Sequence, residues 1–164
     1  MITLVLGGAR SGKSRVAEEL AGRLPSPVTY IATATVDDGD ADHIARVAAH
    51  QARRDPSWQT VEAGPDLVEV LRTAPGSVLV DSLGTWITSG PELVADGALL
   101  ANVLRKRSGD AVVVSEEVGL GVHPSSALGR QFRDDLGEVN QAVAAVADQV
   151  LLVVAGRVLP LERP

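Results

Sequence analysis

Eight residues near the N-terminus have the types and the spacing of a phosphate-binding loop, G-x-x-x-x-G-K-[ST]. They are Gly7, Gly8, Ala9, Arg10, Ser11, Gly12, Lys13 and Ser14. Glycines let the backbone approach an anion without a Cβ in the way, and successive N–H groups of such a loop surround phosphate oxygens. Lys13 would reach the β- and γ-phosphates, and the Ser14 hydroxyl would bind Mg²⁺. The motif therefore predicts binding of a nucleoside triphosphate.

The sequence on either side of the loop is what this motif requires. Ile2–Leu6 is a short apolar run, typical of a buried parallel strand. After the loop, apolar residues recur at helical spacing at Val16, Ala17, Leu20 and Leu24. A strand before the loop and a helix after it make a coincidental glycine-rich turn the weaker interpretation.

Strand-like and helix-like segments alternate along the rest of the chain. The sequence predicts strands at Val28–Ala34, Gln59–Ala63, Ser77–Asp81, Ala111–Ser115 and Gln149–Ala155, and helices at Asp40–Arg54, Pro65–Thr73, Leu93–Arg107 and Phe132–Ala147. This alternation predicts an α/β fold with a mostly parallel, doubly wound sheet flanked by helices. Because no repeat or linker interrupts it, we expect residues 1–164 to form a single nucleotide-binding domain. In such sheets ligands bind beyond the carboxyl ends of the strands.

Composition narrows the classes of partner. The chain carries a formal net charge of −6 at pH 7, which argues against nucleic acid or an anionic membrane as a partner. It has no cysteine, which excludes disulfides and thiolate chemistry. The first strand begins at Ile2, so we expect no signal peptide, and no apolar run reaches the ~20 residues of a membrane span. These features favour a cytoplasmic protein.

Acidic residues follow two of the predicted strands. Asp81 stands where a phosphate-binding loop needs a second group for Mg²⁺, although an aspartate in this position also commonly caps a helix. We predict that Asp81 and Ser14 bind the metal. Glu116 and Glu117 follow a later strand, and they either orient a hydroxyl or a second metal-bound water, or are solvated turn residues.

Asp81–Gly84 also reads D-x-x-G, which is similar to a switch segment of GTPases. Such switches recognise guanine through an N-K-x-D segment. The chain has two lysines, Lys13 and Lys106, and neither lies in that segment. A GTP-binding switch is therefore the weaker hypothesis, and a monofunctional small-molecule kinase that uses the same loop is a stronger one.

The predicted helix Asp40–Arg54 gathers cationic side chains on one side, at helical spacing. They are His43, Arg46, His50, Arg53 and Arg54. In an acidic chain such a strip is a candidate anion site, although a basic helix face is most often only solvated. On these grounds alone a catalytic role for His50 is the less favoured interpretation.

Several segments, taken in order, make the chain similar to bifunctional adenosylcobinamide kinase/adenosylcobinamide-phosphate guanylyltransferases, which assemble the nucleotide loop of cobalamin. The segments are Gly7–Arg15, Tyr30–Thr33, Arg46 to His50 with Trp58 and Glu62, Glu117–Gly121, and Arg130–Asp134 followed by Gly137, Asn140 and Gln141. Together they span nearly the whole chain. The resemblance implies a RecA-like P-loop fold and a ring-shaped trimer.

The resemblance also implies two reactions. The γ-phosphate of ATP or GTP passes to the hydroxyl of the aminopropanol arm of adenosylcobinamide. GMP from GTP is then joined to that phosphate through a covalent guanylyl-histidine, which falls on His50. The family's nucleotide contacts fall on the loop Gly7–Ser14 and on Ala32, Thr33, Ala34, Gln51, Ala52, Arg53, Arg54, Glu62 and Asp81. Neutral imidazole suits the nucleophilic role, because it attacks phosphorus near pH 7 without losing a proton first.

The chain departs from the family pattern at two places. Relatives carry two consecutive histidines at the nucleophile, whereas this chain has Ala49 before His50. Any assistance from the first histidine must therefore come from another group here. Relatives also carry apolar residues before the proline that matches Pro124, where this chain has Val122 and His123. We assign His123 no role.

Overall fold

The computed structural model describes residues 1–34, 55–90 and 95–163. The residues of the predicted helix Asp40–Arg54 lie outside the described residues, and so do all five of its cationic side chains. Residues 91–94, which include the first two residues of the predicted helix Leu93–Arg107, also lie outside them.

Seven strands of the described residues form one sheet. They are β1 Ile2–Gly7, β2 Val28–Ala32, β3 Gln59–Glu62, β4 Ser77–Asp81, β5 Ala111–Glu116, β6 Gln149–Val154 and β7 Arg157–Leu161. Their order is β3-β2-β4-β5-β1-β6-β7. All neighbouring pairs are parallel except β6 and β7. The predicted mostly parallel α/β sheet is confirmed.

Helices cover both faces of this sheet, because alternate residues of a buried strand point to opposite sides. The helices are α1 Lys13–Ala21, α2 Leu67–Thr73, α3 Leu83–Ser89, α4 Gly97–Lys106 and α5 Ala127–Val146. Leu4 of β1 belongs to one buried apolar cluster with α2, α3, α4 and α5, whereas Val5 belongs to the other, with α1. Burial on both faces explains why the central strands are continuous Val and Leu runs.

Capping residues set helix boundaries that the apolar pattern misses. Helix α5 begins at Ala127, five residues before the predicted Phe132, because the Ser126 side chain accepts a hydrogen bond from the Gly129 N–H (3.0 Å). Helix α4 begins at Gly97, where Asp96 accepts from the Leu99 N–H (2.8 Å). A side chain that satisfies the first free N–H groups fixes the start of a helix more firmly than apolar periodicity does.

Two elements were not predicted at all. Helix α3 is short and directly follows β4, so its apolar residues merge with the strand pattern. Strand β7 is exposed along its length and contains Pro160, which a sequence pattern places outside a sheet. Proline is accepted there because β7 is the edge strand. In the part of the chain that is described, no helix is long and apolar enough to cross a membrane.

Arg107, directly after α4, ties the end of α2 to the sheet. Its guanidinium donates hydrogen bonds to the carbonyl oxygens of Leu71, Ala74 (3.1 Å) and Gly76 (2.8 Å). Burial lowers the pKa of this guanidinium from its ordinary value, because the charged form is less well solvated there.

We expect Arg107→Ala to lower the free energy of unfolding by about 3 kcal/mol, because three charge-assisted hydrogen bonds are lost at once. Urea denaturation measures this change. Arg105→Ala, which removes an exposed arginine of α4, is the matched control. Equal stability of the two variants would contradict the structural role given to Arg107.

Candidate functional site

The strand register brings predicted site residues together at the carboxyl edge of the sheet. Ala32 pairs with Glu62 on one side and with Asp81 on the other, so these three share one row across β3, β2 and β4. Gly7, the first residue of the phosphate-binding loop, pairs with Glu116 at the end of β5. Open α/β sheets commonly bind their ligands at this edge.

The loop Gly7–Ser14 joins β1 to the first turn of α1, as the motif requires. Gly12 has a φ of 93°, a left-handed conformation that a residue with a Cβ rarely adopts. Arg10 also lies in the left-handed region, with a φ of 55°. These conformations turn the chain sharply into the helix, so that the N-terminal N–H groups of α1 lie beside the loop.

The turn between β6 and β7 braces the loop from the side. The Gly156 N–H donates to the Ser11 carbonyl oxygen (2.8 Å). A Cβ on Gly12 would lie 3.4 Å from the Gly156 Cα, so the two backbones are in close contact. Sequence reasoning missed this brace because it did not predict the β6–β7 hairpin.

Lys13 lies over the loop with its ammonium group between two oxygens. Its Nζ is 3.4 Å from the Glu116 Oε1 and 3.4 Å from the Gly8 carbonyl oxygen. The Lys13 side chain is only 12% exposed. The cation predicted to contact phosphates therefore lies at the loop, close to one acidic side chain.

Glu116 is the functional candidate whose role the sequence left open. Its Oε2 accepts hydrogen bonds from the Ser82 hydroxyl (3.1 Å) and from the Gly84 N–H (3.0 Å). The Asn140 side chain, which is buried, donates to the Glu116 carbonyl oxygen (3.0 Å). The carboxylate is therefore fixed beside Lys13 and is not a freely solvated turn residue. The available signal was two consecutive acids at the end of a buried strand.

Asp81 is half-buried at the end of β4, and its Oδ2 accepts a hydrogen bond from the Tyr30 hydroxyl (2.9 Å). It does not cap α3. That role belongs to Ser82, whose side chain accepts from the Thr85 N–H (3.5 Å), while the Ser82 N–H donates to the Thr85 hydroxyl (3.2 Å). The alternative of Asp81 as the helix cap is therefore not what the structure has.

Thr33 lies next to this turn and is completely buried. Its hydroxyl donates to the Ser82 carbonyl oxygen (2.6 Å) and accepts from the Ser82 N–H (2.9 Å). Ala32 and Ala34 beside it are half-buried, and Glu62 is exposed. The structure thus gives the Thr33 side chain a part in fixing the turn that follows Asp81.

The oxygen atoms of Ser14 and Asp81 are of the kind that Mg²⁺ prefers, and both residues are half-buried. Mg²⁺ is usually held by one or two carboxylates together with substrate phosphates and water. Across residues 1–34, 55–90 and 95–163, no group of three or more His, Cys, Asp or Glu side chains could hold a metal by itself. The oxygen atoms of Ser14 and Asp81 fit a site whose coordination phosphates and water complete.

Other predicted site residues are placed elsewhere or are not described. His50, Gln51, Ala52, Arg53 and Arg54 lie outside the described residues. His123 is exposed in the segment between β5 and α5, where its Nδ1 lies 2.7 Å from a guanidinium nitrogen of Arg133.

Comparison with known families gives one match over almost the full chain. Residues 3–161 match the CobU family, described as cobinamide kinase / cobinamide phosphate guanyltransferase. The bifunctional adenosylcobalamin biosynthesis protein CobP of Pseudomonas aeruginosa is 40% identical over 171 residues, which covers 99% of this chain and 98% of that protein. The corresponding CobU protein of Salmonella typhimurium is 37% identical over 178 residues and covers 95% of this chain and 97% of its own.

Solved structures of low sequence identity share the fold. The flagellar accessory protein FlaH from Methanocaldococcus jannaschii has a TM-score of 0.51 and 14% identity, covering 96% of this chain and 74% of its own. The VirB11 ATPase of the Brucella suis type IV secretion system has a TM-score of 0.52 and 18% identity, covering 98% and 47%. These likenesses concern the fold alone, and they agree with the RecA-like P-loop fold that the sequence predicts.

Proposed function

We propose that a single nucleotide site of this protein serves two reactions, phosphoryl transfer and guanylyl transfer. The chain belongs to the cobinamide kinase / cobinamide phosphate guanyltransferase family. The protein is a bifunctional transferase of adenosylcobalamin biosynthesis. The observation that carries the proposal is the single G-x-x-x-x-G-K-[ST] motif of the sequence, which joins the carboxyl end of β1 to α1. Both reactions begin with a nucleoside triphosphate, so both need that loop.

In the kinase reaction, ATP or GTP is bound with its phosphates against the loop. The hydroxyl of the aminopropanol arm of adenosylcobinamide attacks the γ-phosphorus, and the nucleoside diphosphate leaves. Lys13 and the N–H groups at the start of α1 stabilise the charge on the transferred group. The product is adenosylcobinamide phosphate.

In the guanylyl transfer reaction, the imidazole of His50 attacks the α-phosphorus of GTP, a P–N bond forms and pyrophosphate leaves. A phosphate oxygen of adenosylcobinamide phosphate then attacks the same phosphorus, and the P–N bond breaks. The product is adenosyl-GDP-cobinamide. Arg46, Arg53 and Arg54 would stabilise the charge that develops on the phosphoryl oxygens. The proposed nucleotide contacts also include Ala32, Thr33, Ala34, Gln51, Ala52 and Glu62.

We propose Ser14 and Asp81 as the protein ligands of Mg²⁺, which neutralises phosphate charge when bound. Asp81→Asn keeps an oxygen that can accept from the Tyr30 hydroxyl but removes the charge. We therefore expect activity to fall and to recover partly at high Mg²⁺ or Mn²⁺, with thermal stability unchanged.

Initial rates over a Mg²⁺ titration measure this effect, and Asp66→Asn, an exposed aspartate, is the control. A loss of stability that exceeds the loss of activity would contradict metal binding by Asp81.

We propose that the active assembly is a homotrimer, in which a neighbouring subunit completes the site. The edge strand β7 supports an assembly, because it exposes the apolar residues Val158, Leu159 and Leu161 at 46%, 57% and 42%. Light scattering at working concentration should find the trimer. A fully active monomer would contradict the proposed trimer.

Use of ATP and GTP agrees with the cytoplasmic location that the sequence favours.

The proposed function is tested by incubating the protein with adenosylcobinamide and either ATP or GTP, followed by mass spectrometry. GTP alone should yield first adenosylcobinamide phosphate and then adenosyl-GDP-cobinamide, and ATP alone should yield only the phosphate. If the incubation with GTP yields adenosylcobinamide phosphate but no adenosyl-GDP-cobinamide, the result would support a monofunctional kinase. Absence of phosphoryl transfer to adenosylcobinamide would contradict both the bifunctional enzyme and the monofunctional kinase.

A further inference from the structure

We propose that Glu116 is the general base of the kinase reaction and has no such part in guanylyl transfer. The inference rests on the proposed function, because it assigns a step of the kinase reaction. This proposal gives Glu116 a catalytic role, whereas the sequence alone was equally compatible with a solvated turn residue at this position.

The geometry leaves one Glu116 oxygen for chemistry. Its Oε2 is fixed by the Ser82 hydroxyl (3.1 Å) and the Gly84 N–H (3.0 Å). Its Oε1 faces the Lys13 ammonium at 3.4 Å. Phosphates at the loop attract the same ammonium, which leaves Oε1 beside the position of the transferred group.

The backbone holds this carboxylate in register with the loop. Glu116 pairs with Gly7 across the two neighbouring strands, and the Glu117 N–H donates to the Gly7 carbonyl oxygen (3.1 Å). Asn140, from α5, donates to the Glu116 carbonyl oxygen (3.0 Å). A base on a strand that is tied to the nucleotide loop keeps a constant distance from the reacting phosphate.

Proton accounting separates the two reactions. In the kinase reaction the acceptor hydroxyl forms an O–P bond to the γ-phosphorus, and the bond from that phosphorus to the β–γ bridging oxygen breaks. The electron pair leaves with the nucleoside diphosphate, and the hydroxyl proton passes to Oε1 of Glu116 and then to water.

Guanylyl transfer offers no such proton. The attacking nitrogen of a neutral imidazole carries a lone pair, and the attacking phosphate oxygen of adenosylcobinamide phosphate is already an anion. Loss of the Glu116 carboxylate therefore harms only the kinase reaction. If Glu116 merely positioned Lys13, both reactions would fall together, because Lys13 serves both.

Gly84 provides a second way to disturb the carboxylate without changing its charge. A Cβ on Gly84 would overlap Oε2 of Glu116 and lie 3.0 Å from its Cδ. The Glu116 side chain can swing away, and alanine is a better helix former than glycine. Gly84→Ala should therefore fold normally while it moves the base out of place.

The experiment compares wild type, Glu116→Gln, Gly84→Ala and the control Glu69→Gln, which alters an exposed glutamate of α2. The kinase assay uses adenosylcobinamide with ATP alone. The guanylyl transfer assay uses adenosylcobinamide phosphate, supplied ready-made, with GTP labelled at the α-phosphorus. Thermal melting verifies that each variant is folded.

For both site variants we expect the kinase kcat to fall by roughly 10²–10⁴-fold, while guanylyl transfer stays near the wild-type rate. Glu69→Gln should match wild type in both assays. Equal losses in the two assays, or an unchanged kinase rate in folded Glu116→Gln and Gly84→Ala, would overturn the inference. A wild-type protein that does not phosphorylate adenosylcobinamide would instead contradict the proposed function.

Discussion

Replacing Lys13 by alanine should lower the rates of phosphoryl transfer and guanylyl transfer together, each by roughly 10²–10³-fold or more. The ammonium group lies over the phosphate-binding loop, 3.4 Å from the Gly8 carbonyl oxygen, and its side chain is largely shielded from water. A charge so placed contributes to every step in which negative charge builds up on a phosphate held there. Initial rates of both reactions, measured on the same preparation, give the result.

Lys106→Ala is the matched control, because Lys106 is the other lysine of the sequence and lies exposed in the last turn of α4. It should leave both rates unchanged. Normal guanylyl transfer by Lys13→Ala, with the kinase reaction lost, would show that the chain has two separate nucleotide sites.

The second large effect is expected for His50→Ala, which should lower guanylyl transfer by roughly 10⁴-fold or more, since it removes the nucleophile itself. Phosphorylation of adenosylcobinamide should remain, because the acceptor hydroxyl attacks the γ-phosphorus directly. The two assays described for Glu116 measure both rates, and Glu116→Gln should show the opposite result, with the kinase reaction lost and guanylyl transfer kept. Together His50→Ala and Glu116→Gln would divide the two activities of one chain.

His43→Ala and His123→Ala are the controls, because these are the other two histidines of the sequence. Both should keep both reactions. The adduct of His50 is a phosphoramidate, so the label on the protein should be lost in acid and survive in alkali. Label that persists in His50→Ala, or that maps to His43 or His123, would contradict the assignment.

Much of the fold was predictable because its signals are local. The central strands carry apolar side chains on both faces, which is typical of a parallel sheet. The apolar run Ser77–Asp81, for example, predicts both ends of β4 correctly. The edge of the sheet gives no such signal. Strand β7 is exposed and contains Pro160, and only its pairing with β6 makes it a strand.

The site was predictable to the extent that its chemistry is written in a contiguous motif. The motif Gly7–Ser14 predicts phosphate binding, and Asp81 is a candidate because it follows a core strand. The pairing of Lys13 with Glu116 joins residues that are distant in sequence. It depends on β5 lying next to β1, which no pattern within either segment shows. The same applies to the brace that Gly156 provides to the loop.

The most direct test of the account is a chase of the covalent intermediate. Wild-type protein is incubated with Mg²⁺ and GTP labelled at the α-phosphorus, freed of nucleotide, and then given adenosylcobinamide phosphate. The account predicts that label bound to the protein passes to the corrinoid as adenosyl-GDP-cobinamide, and that His50→Ala acquires no label. Label that never appears on the wild-type protein, or that stays there when adenosylcobinamide phosphate is added, would contradict transfer through a guanylyl-histidine.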